Sequence, residues 1–350
     1  MTAYLSKTDT DEAFYREYIQ SRLPQWIFDI HVHLNLPEHI SMVPASRWLT
    51  DWALESGHLL TYEDAVACAT ALYPDAQYEM AGFPWPIREA DLAANNAYLA
   101  RLRQERLLSP FMVVRPEWAT EEIEKTLVDG KFVGFKPYPD MYTGIKGADI
   151  SIFDFFPHEQ WALLDRHKKA VLLHLPRRNR IADDDNVREL LAARDKYPDV
   201  TIIIAHFGRA FCPIYLDQGL NKLGSEAGGF YFDTAAVINP AVYDLAFSRI
   251  PITRILYGSD MPILLWHGKR VWTERKYTNL CREPFTWNQE RRSPEEEARY
   301  TFFLYEQMRS ILDALDRNGF SEEDKAGVFA ANAKKALRLQ AHLREFRGIQ

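Results

Sequence analysis

The chain alternates short apolar runs with amphipathic stretches. The runs are IFDIHVHL (27–34), QYEMAGF (77–83), SPFMVVRP (109–116), KFVGFKPYP (131–139), AVLLHLPR (170–177), VTIIIAHFG (200–208), GFYFDTAAV (229–237) and RILYGSDMP (254–262). Between them lie helix-patterned segments such as ADLAANNAYLARLRQER (90–106), TEEIEKTLVDG (120–130) and DNVRELLAARDKYP (185–198). Strand-length runs separated by helices, at spacings of roughly 25–35 residues, indicate βαβ units and a parallel sheet. Seven or eight such units predict an α/β fold of the (β/α)8 TIM-barrel type, with a doubly wound sheet as the alternative. No Gly/Ser linker interrupts the series, so residues 26–350 read as one domain behind an N-terminal extension, 1–25.

Two stretches break the alternation. Residues 35–75 carry Trp48, Trp52, Tyr62 and Tyr73, and residues 263–292 carry Trp266, Trp272, Trp287 and many arginines. Placed after the first and last strands, they would be neighbours in a closed barrel. Long loops in a compact barrel are usually functional, so the pair predicts one shared lid. A final helix pair follows, its last member opened by the capping-box pattern Ser321-Glu322-Glu323-Asp324.

Composition narrows the partners. The 350 residues are 47% hydrophobic and 26% charged, with a net charge of -7. No general basic field is present to attract nucleic acid or an anionic membrane. Cys68, Cys212 and Cys281 form no CxxC pair, which argues against a disulfide framework or a thiolate metal site. The acidic start MTAYLSKTDTDEAFYREYIQ has no apolar signal core, and no run approaches the roughly 18 apolar residues of a membrane span. A soluble, cytoplasmic protein with a small-molecule partner is expected, and a homodimer stays open.

The chemistry sits where the runs end. On a strand, His31 and His33 share a face with Asp29 and lie about 7 Å apart, within reach of a single metal ion. His174 closes its run after Ala170 and Leu172, His206 after Ile202 and Ile204, and Asp260 after Leu256 and Gly258. Each run is apolar until its C-terminal end and then presents one His or Asp inward. In a barrel that end holds the active site. Imidazoles joined by a carboxylate suit one divalent ion, Zn²⁺ foremost, with Mn²⁺ or Fe²⁺ fitting the same N/O environment.

The order Asp-x-His-x-His, His174, AHFGRAF, YGSDMP and FAANAKKALRL resembles the amidohydrolase superfamily over nearly the whole chain, from about residue 26 to 340. More closely, it is similar to the amidohydrolase-related branch that includes aminocarboxymuconate-semialdehyde decarboxylase. The resemblance implies a metal held by His31, His33, His174 and Asp260, with His206 catalytic rather than a ligand. Lys136, in GFKPYP, stands where two-metal members carry a carbamylated lysine. The surrounding motif looks more like the one-metal branch, where a cation here contacts substrate.

A metal of this kind lowers the pKa of water towards 7, and Asp260 can accept the proton released. His206 would polarise a substrate carbonyl, shuttle a proton, or brace His174 or Asp260. Cations gather at the same rim: Arg115 after the third run, Lys136 ending the fourth, Arg177, Arg178 and Arg180 after the fifth, and Arg209 after the sixth. Guanidinium groups match carboxylates, so Arg115, Lys136, Arg177 and Arg209 are the expected contacts to an anionic substrate. The aromatic insertions hint at a planar one. The leading reading is a metal-dependent hydrolase of an amide, lactone or C–C bond next to a carboxylate. The alternative is a non-oxidative decarboxylase or hydratase of an unsaturated or aromatic acid at the same site. A metal-free lactonase and a non-enzymatic barrel are disfavoured by the intact ligand set.

Overall fold

A computed structural model describes residues 5–57, 59–105, 107–144 and 149–339. The ends of the expected extension and domain, residues 1–4 and 340–350, lie outside the described residues. Every apolar run becomes a strand. They are β1 (Trp26–His33), β2 (Gln77–Phe83), β3 (Phe111–Met112), β4 (Gly134–Phe135), β5 (Ala170–Leu173), β6 (Thr201–Ile204), β7 (Tyr231–Asp233) and β8 (Ile255–Leu256).

Strands β3 to β8 form one parallel sheet in sequence order, and β1 pairs in parallel with β2. Single backbone bonds connect the two pieces. Ser109 N–H donates to Met80 O (3.0 Å) between β2 and β3. Ile30 N–H donates to Tyr257 O (3.0 Å) and His33 N–H to Met261 O (2.8 Å) between β1 and the end of β8. The eight strands therefore close into a (β/α)8 barrel.

The closure dictates some residue choices. At Gly134 in β4, an added Cβ would lie 1.8 Å from Ala170 O of β5, so only glycine permits the pairing. Strand β1 is buried along its length except at Trp26, because its two sides face the barrel interior and the helix layer. Its register with β2 slips between Asp29 and Val32. Asp29 consequently leaves the histidines' company: it accepts from His31 N (3.1 Å), Ser259 N (3.0 Å) and Tyr78 Oη (2.8 Å).

One long helix follows each strand on the outside, at Tyr62–Leu72, Leu92–Gln104, Thr120–Asp129, His158–Arg166, Asp184–Lys196, Pro213–Leu223, Pro240–Arg249 and Phe303–Arg317. Short polar side chains start several of them: Thr61, Asp91, Asp183 and Asn239 each accept a hydrogen bond from the first turn. Phe303–Arg317 buries Leu304, Met308, Ile311, Leu312 and Leu315, an apolar stripe at helical spacing. Truncating one of these, Leu312→Ala, would cost about 2–5 kcal/mol.

The two insertions meet as expected. Thr286 donates from N (2.8 Å) and Oγ1 (2.7 Å) to the Glu55 carboxylate, and the Trp52 and Trp287 rings pack edge-on at 5.6 Å. The second insertion is more regular than its sequence suggests. It folds as an antiparallel hairpin, β9 (Gly268–Trp272) and β10 (Tyr277–Cys281). Its turn is stabilised by Thr273 N–H to Lys276 O (2.8 Å) without glycine, so the usual hairpin signal is missing.

Candidate active site

At the C-terminal mouth of the barrel lies a cavity of about 210 Å³. His31, His33, His174, His206, Asp260 and Lys136 all line it. Trp85, Tyr138, Phe211 and Tyr277 supply aromatic walls, and Arg209 and Arg270 bring positive charge. Trp52 comes from the first insertion and Arg270 and Tyr277 from the hairpin, so both insertions reach the site.

Asp260 is the hub. Its Oδ1 lies 3.2 Å from both His31 Nε2 and His33 Nε2. One donor atom each from His31, His206 and Asp260 lies within 4.8 Å of the other two. His174 stands behind them, its ring 5.5 Å from that of His206 and 4.7 Å from Tyr138. Burial holds all four imidazoles below their ordinary pKa, His206 at about 4 and His174 well down, with Arg209 adding to the effect on His174. Despite burial, the surrounding imidazoles keep Asp260 far below the usual carboxylate range. The centre therefore offers neutral nitrogens and an ionised carboxylate.

Hydrogen bonds assign the tautomers. His206 Nδ1 lies 2.8 Å from Ala235 O, an acceptor, so Nδ1 carries the proton and Nε2 keeps a lone pair. His31 Nδ1 lies 2.8 Å from Asp233 Oδ2, which leaves its Nε2 lone pair facing the Asp260 carboxylate. Two acceptors opposed at 3.2 Å need a proton or a cation between them. His33 Nδ1, His174 Nδ1 and Lys136 Nζ are buried with no hydrogen-bond partner among the described residues. Lone pairs aimed at one point, with orphaned nitrogens beside them, are the donor chemistry of a divalent metal site.

The backbone at the site is unusual. His206, Phe207, Gly208 and Arg209 all have positive φ, at 57°, 48°, 72° and 64°, a left-handed turn at the tip of β6. Asp260 (φ 67°) shares this region. Left-handed non-glycine residues cost roughly 1 kcal/mol each and cluster where a side chain must be aimed. Asp233 helps hold this turn: its Oδ1 accepts from His206 N (2.6 Å) and Ala235 N (3.1 Å).

Lys136 is 1% exposed, and burial pushes its ammonium down to about 8. Its Nζ sits over the Phe83 and Tyr138 rings at 5.3 and 5.7 Å. Arg209 anchors Nη1 on Leu175 O (3.1 Å) and Pro176 O (3.2 Å).

Two expected substrate contacts do not reach the cavity. Arg177 turns back into its own loop, where Glu189 receives Nη1 (3.1 Å) and Nη2 (2.7 Å) and Asn186 Oδ1 receives Nη1 (3.0 Å). Arg115 donates from Nη2 to the carbonyls of Arg88 and Ala90. Both lie just after strand tips, but a long side chain follows the nearest acceptor, and carboxylate or carbonyl partners were closer than the cavity. Arg270 and Asp233 bear on the site without being foreseen. Asp233 ends the GFYFD run and follows the same strand-tip rule as Asp260, whereas Arg270 is delivered by a hairpin without a sequence signal.

Known structures share this architecture. A dihydroxybenzoic acid decarboxylase from Polaromonas, with bound manganese and the inhibitor 2-nitroresorcinol, matches with a TM-score of 0.56 and 16% identity, over 92% of this chain and 100% of that one. The 5-carboxyvanillate decarboxylase of Sphingomonas paucimobilis matches with a TM-score of 0.55 and 13% identity, over 91% and 100%. A probable 2-pyrone-4,6-dicarboxylic acid hydrolase from Acinetobacter baumannii, with citric acid bound, matches with a TM-score of 0.54 and 14% identity, over 89% and 99%. No curated protein matches the chain. A family model described as Amidohydrolase matches residues 28–339, and the chain belongs to that family.

Proposed function

We propose that this chain is a metal-dependent hydrolase of a small, planar, carboxylate-bearing substrate. The observation that carries this reading is the pair of proton acceptors facing one cavity, Asp260 and the Nε2 lone pair of His206. Hydrolysis begins by taking a proton from water, and this site is poised to take one. His31, His33, His174 and Asp260 would hold one divalent ion, Zn²⁺ first and Mn²⁺ or Fe²⁺ by the same donor chemistry. Such an ion supplies Lewis acidity towards an oxygen of substrate or water. Asp260 would accept the water proton, and the Nε2 lone pair of His206 would take up that proton and pass it on to the leaving group. Lys136 and Arg209 orient the substrate carboxylate, while Trp85 and Tyr138 pack on its plane.

Non-oxidative decarboxylation of an aromatic or unsaturated acid is the second reading, and Lys136 favours it. Its buried ammonium is a proton donor on the cavity wall, as protonation of a ring carbon requires. Two of the similar structures are decarboxylases of aromatic acids, and one is a probable hydrolase of a pyrone dicarboxylic acid. The test is a panel of carboxylate-bearing lactones, amides and aromatic acids, offered to Zn²⁺- and Mn²⁺-loaded protein in ¹⁸O-labelled water. Label in the product supports hydrolysis. CO₂ release without label supports decarboxylation, and neither product from any substrate removes both readings.

A further inference from the structure

The ladder between β7 and β8 ends where Asp233 pairs with Leu256, and Thr234 N–H still donates to Leu256 O (3.1 Å). Past that point side chains take over the pairing. Gly258 N–H donates to Thr234 Oγ1 (3.0 Å). Gln307, from the helix Phe303–Arg317, donates from Nε2 to Thr234 O (2.8 Å) and to Gly258 O (2.9 Å). Thr234 and Gln307 are fully buried, and Gln307 lies outside the cavity wall.

An amide nitrogen has two hydrogens to give, and here each meets a carbonyl. Buried carbonyls beyond the end of a ladder need such a donor, and that need alone accounts for a polar residue at 307. It does not account for which carbonyls are held. Thr234 directly follows Asp233, and Gly258 stands two residues before Asp260. The hydrogen bonds therefore span the roots of both carboxylates of the site.

His31 feels both strands. Asp233 Oδ2 lies 2.8 Å from its Nδ1, Asp260 Oδ1 lies 3.2 Å from its Nε2, and Asp260 N–H donates to its carbonyl (3.0 Å). A Cβ at position 258 would stand 3.0 Å from His31 Cβ, so β8 passes His31 at close range. Sliding one strand tip against the other would stretch one of these contacts.

We infer that Gln307 and Thr234 form a clamp that sets the spacing of Asp233 and Asp260 around His31, which makes Gln307 a positioning residue acting from outside the cavity. The inference rests on the proposed function for the use of that spacing, a divalent ion held by His31 and Asp260 together.

The test compares two variants of one helix. Gln307→Met keeps the length and removes both donors, whereas Leu312→Ala weakens the helix packing and leaves the clamp intact. Histidines are labelled with ¹⁵N, and the His31 Nδ1–H signal, assigned by its absence in His31→Asn, is followed in metal-free protein. Gln307→Met should move or broaden that signal, and Leu312→Ala should leave it at the wild-type position. Co²⁺ affinity of the full chain, read by competition with a chelator, should fall about tenfold in Gln307→Met and hold in Leu312→Ala. Thr234→Val should reproduce both changes and Thr234→Ser should reverse them, so the clamp is read even where Gln307→Met does not fold. An unchanged His31 signal in Gln307→Met and Thr234→Val overturns the clamp. So does an equal effect of Leu312→Ala, which would make lost stability the cause. Wild-type protein that takes up no Co²⁺ sinks the metal-dependent reading, and the His31 signal then decides the clamp by itself. Co²⁺-replete wild type with no response at His31 in the variants sinks the clamp alone.

Discussion

The Asp233 carboxylate joins the two halves of the candidate site: Oδ2 receives the His31 Nδ1 proton at 2.8 Å, and Oδ1 receives His206 N–H at 2.6 Å. One buried side chain thereby sets the tautomer of an expected metal ligand and pins the left-handed turn that aims the expected catalytic histidine. A carboxylate behind a metal-binding imidazole fixes its orientation and raises its basicity.

Asparagine at position 233 keeps the size but has only one acceptor oxygen. It can serve His31 or the His206 turn, not both. Asp233→Asn should weaken metal affinity by about 10–100-fold, read by competition against a chelator, while circular dichroism stays native. Unchanged metal affinity would show that Asp233 is only structural.

The metal site itself is tested by count and by His206. Elemental analysis should give about one divalent ion per chain, and two would revive the carbamylated Lys136. His206→Asn should keep that ion and lower turnover by about 10²–10⁴-fold, the range for losing acid–base participation. If the ion is lost instead, the compact trio of His31, His206 and Asp260 is the ligand set.

Much of this was legible in the sequence because strand tips converge in a barrel. Counting from the apolar runs brings His31, His33, His174, His206, Asp260 and Lys136 to one cavity, and the same rule would have found Asp233. The rule places Cα atoms, however, and says little about where a long side chain goes. Arg115 and Arg177 obey it in position and leave the site in direction. Arg270 escaped because the hairpin that carries it has neither a glycine turn nor a clean apolar alternation; its strands read GKRVW and YTNLC.

The hairpin is tied down by a histidine outside the site. His267 lies 3.0 Å (Nε2) from Asp11 Oδ2 and 2.8 Å (Nδ1) from Glu283 Oε1, with Arg282 Nη2 and the Phe302 ring also against it. Although burial opposes the charged form, hydrogen bonds to the two carboxylates raise its pKa above the ordinary 6.5. A group raised on folding stabilises fully below its unfolded pKa, and that contribution is lost as pH rises through the folded value. Thermal melts should therefore show this contribution declining above pH 6.5. His267→Gln should cost about 2 kcal/mol at pH 6 and flatten that decline, and a parallel pH profile for variant and wild type would refute the assignment.

Arg177 supplies the last prediction, because its structure reverses its expected role. It is 7% exposed and bound bidentately to Glu189, whose Oε2 also accepts from Ile152 N at 2.8 Å. That pair ties the loop after β5 to the helix Asp184–Lys196 and to the segment after β4. Removing the guanidinium leaves Glu189 buried and unneutralised, a loss of about 3–5 kcal/mol for a broken buried pair. Arg177→Met should thus lower the denaturation midpoint strongly, while the affinity for acidic ligands measured below that midpoint stays within about twofold. Weakened ligand binding in Arg177→Met at undiminished stability would restore Arg177 to the substrate side of the cavity and contradict the geometry described for its loop.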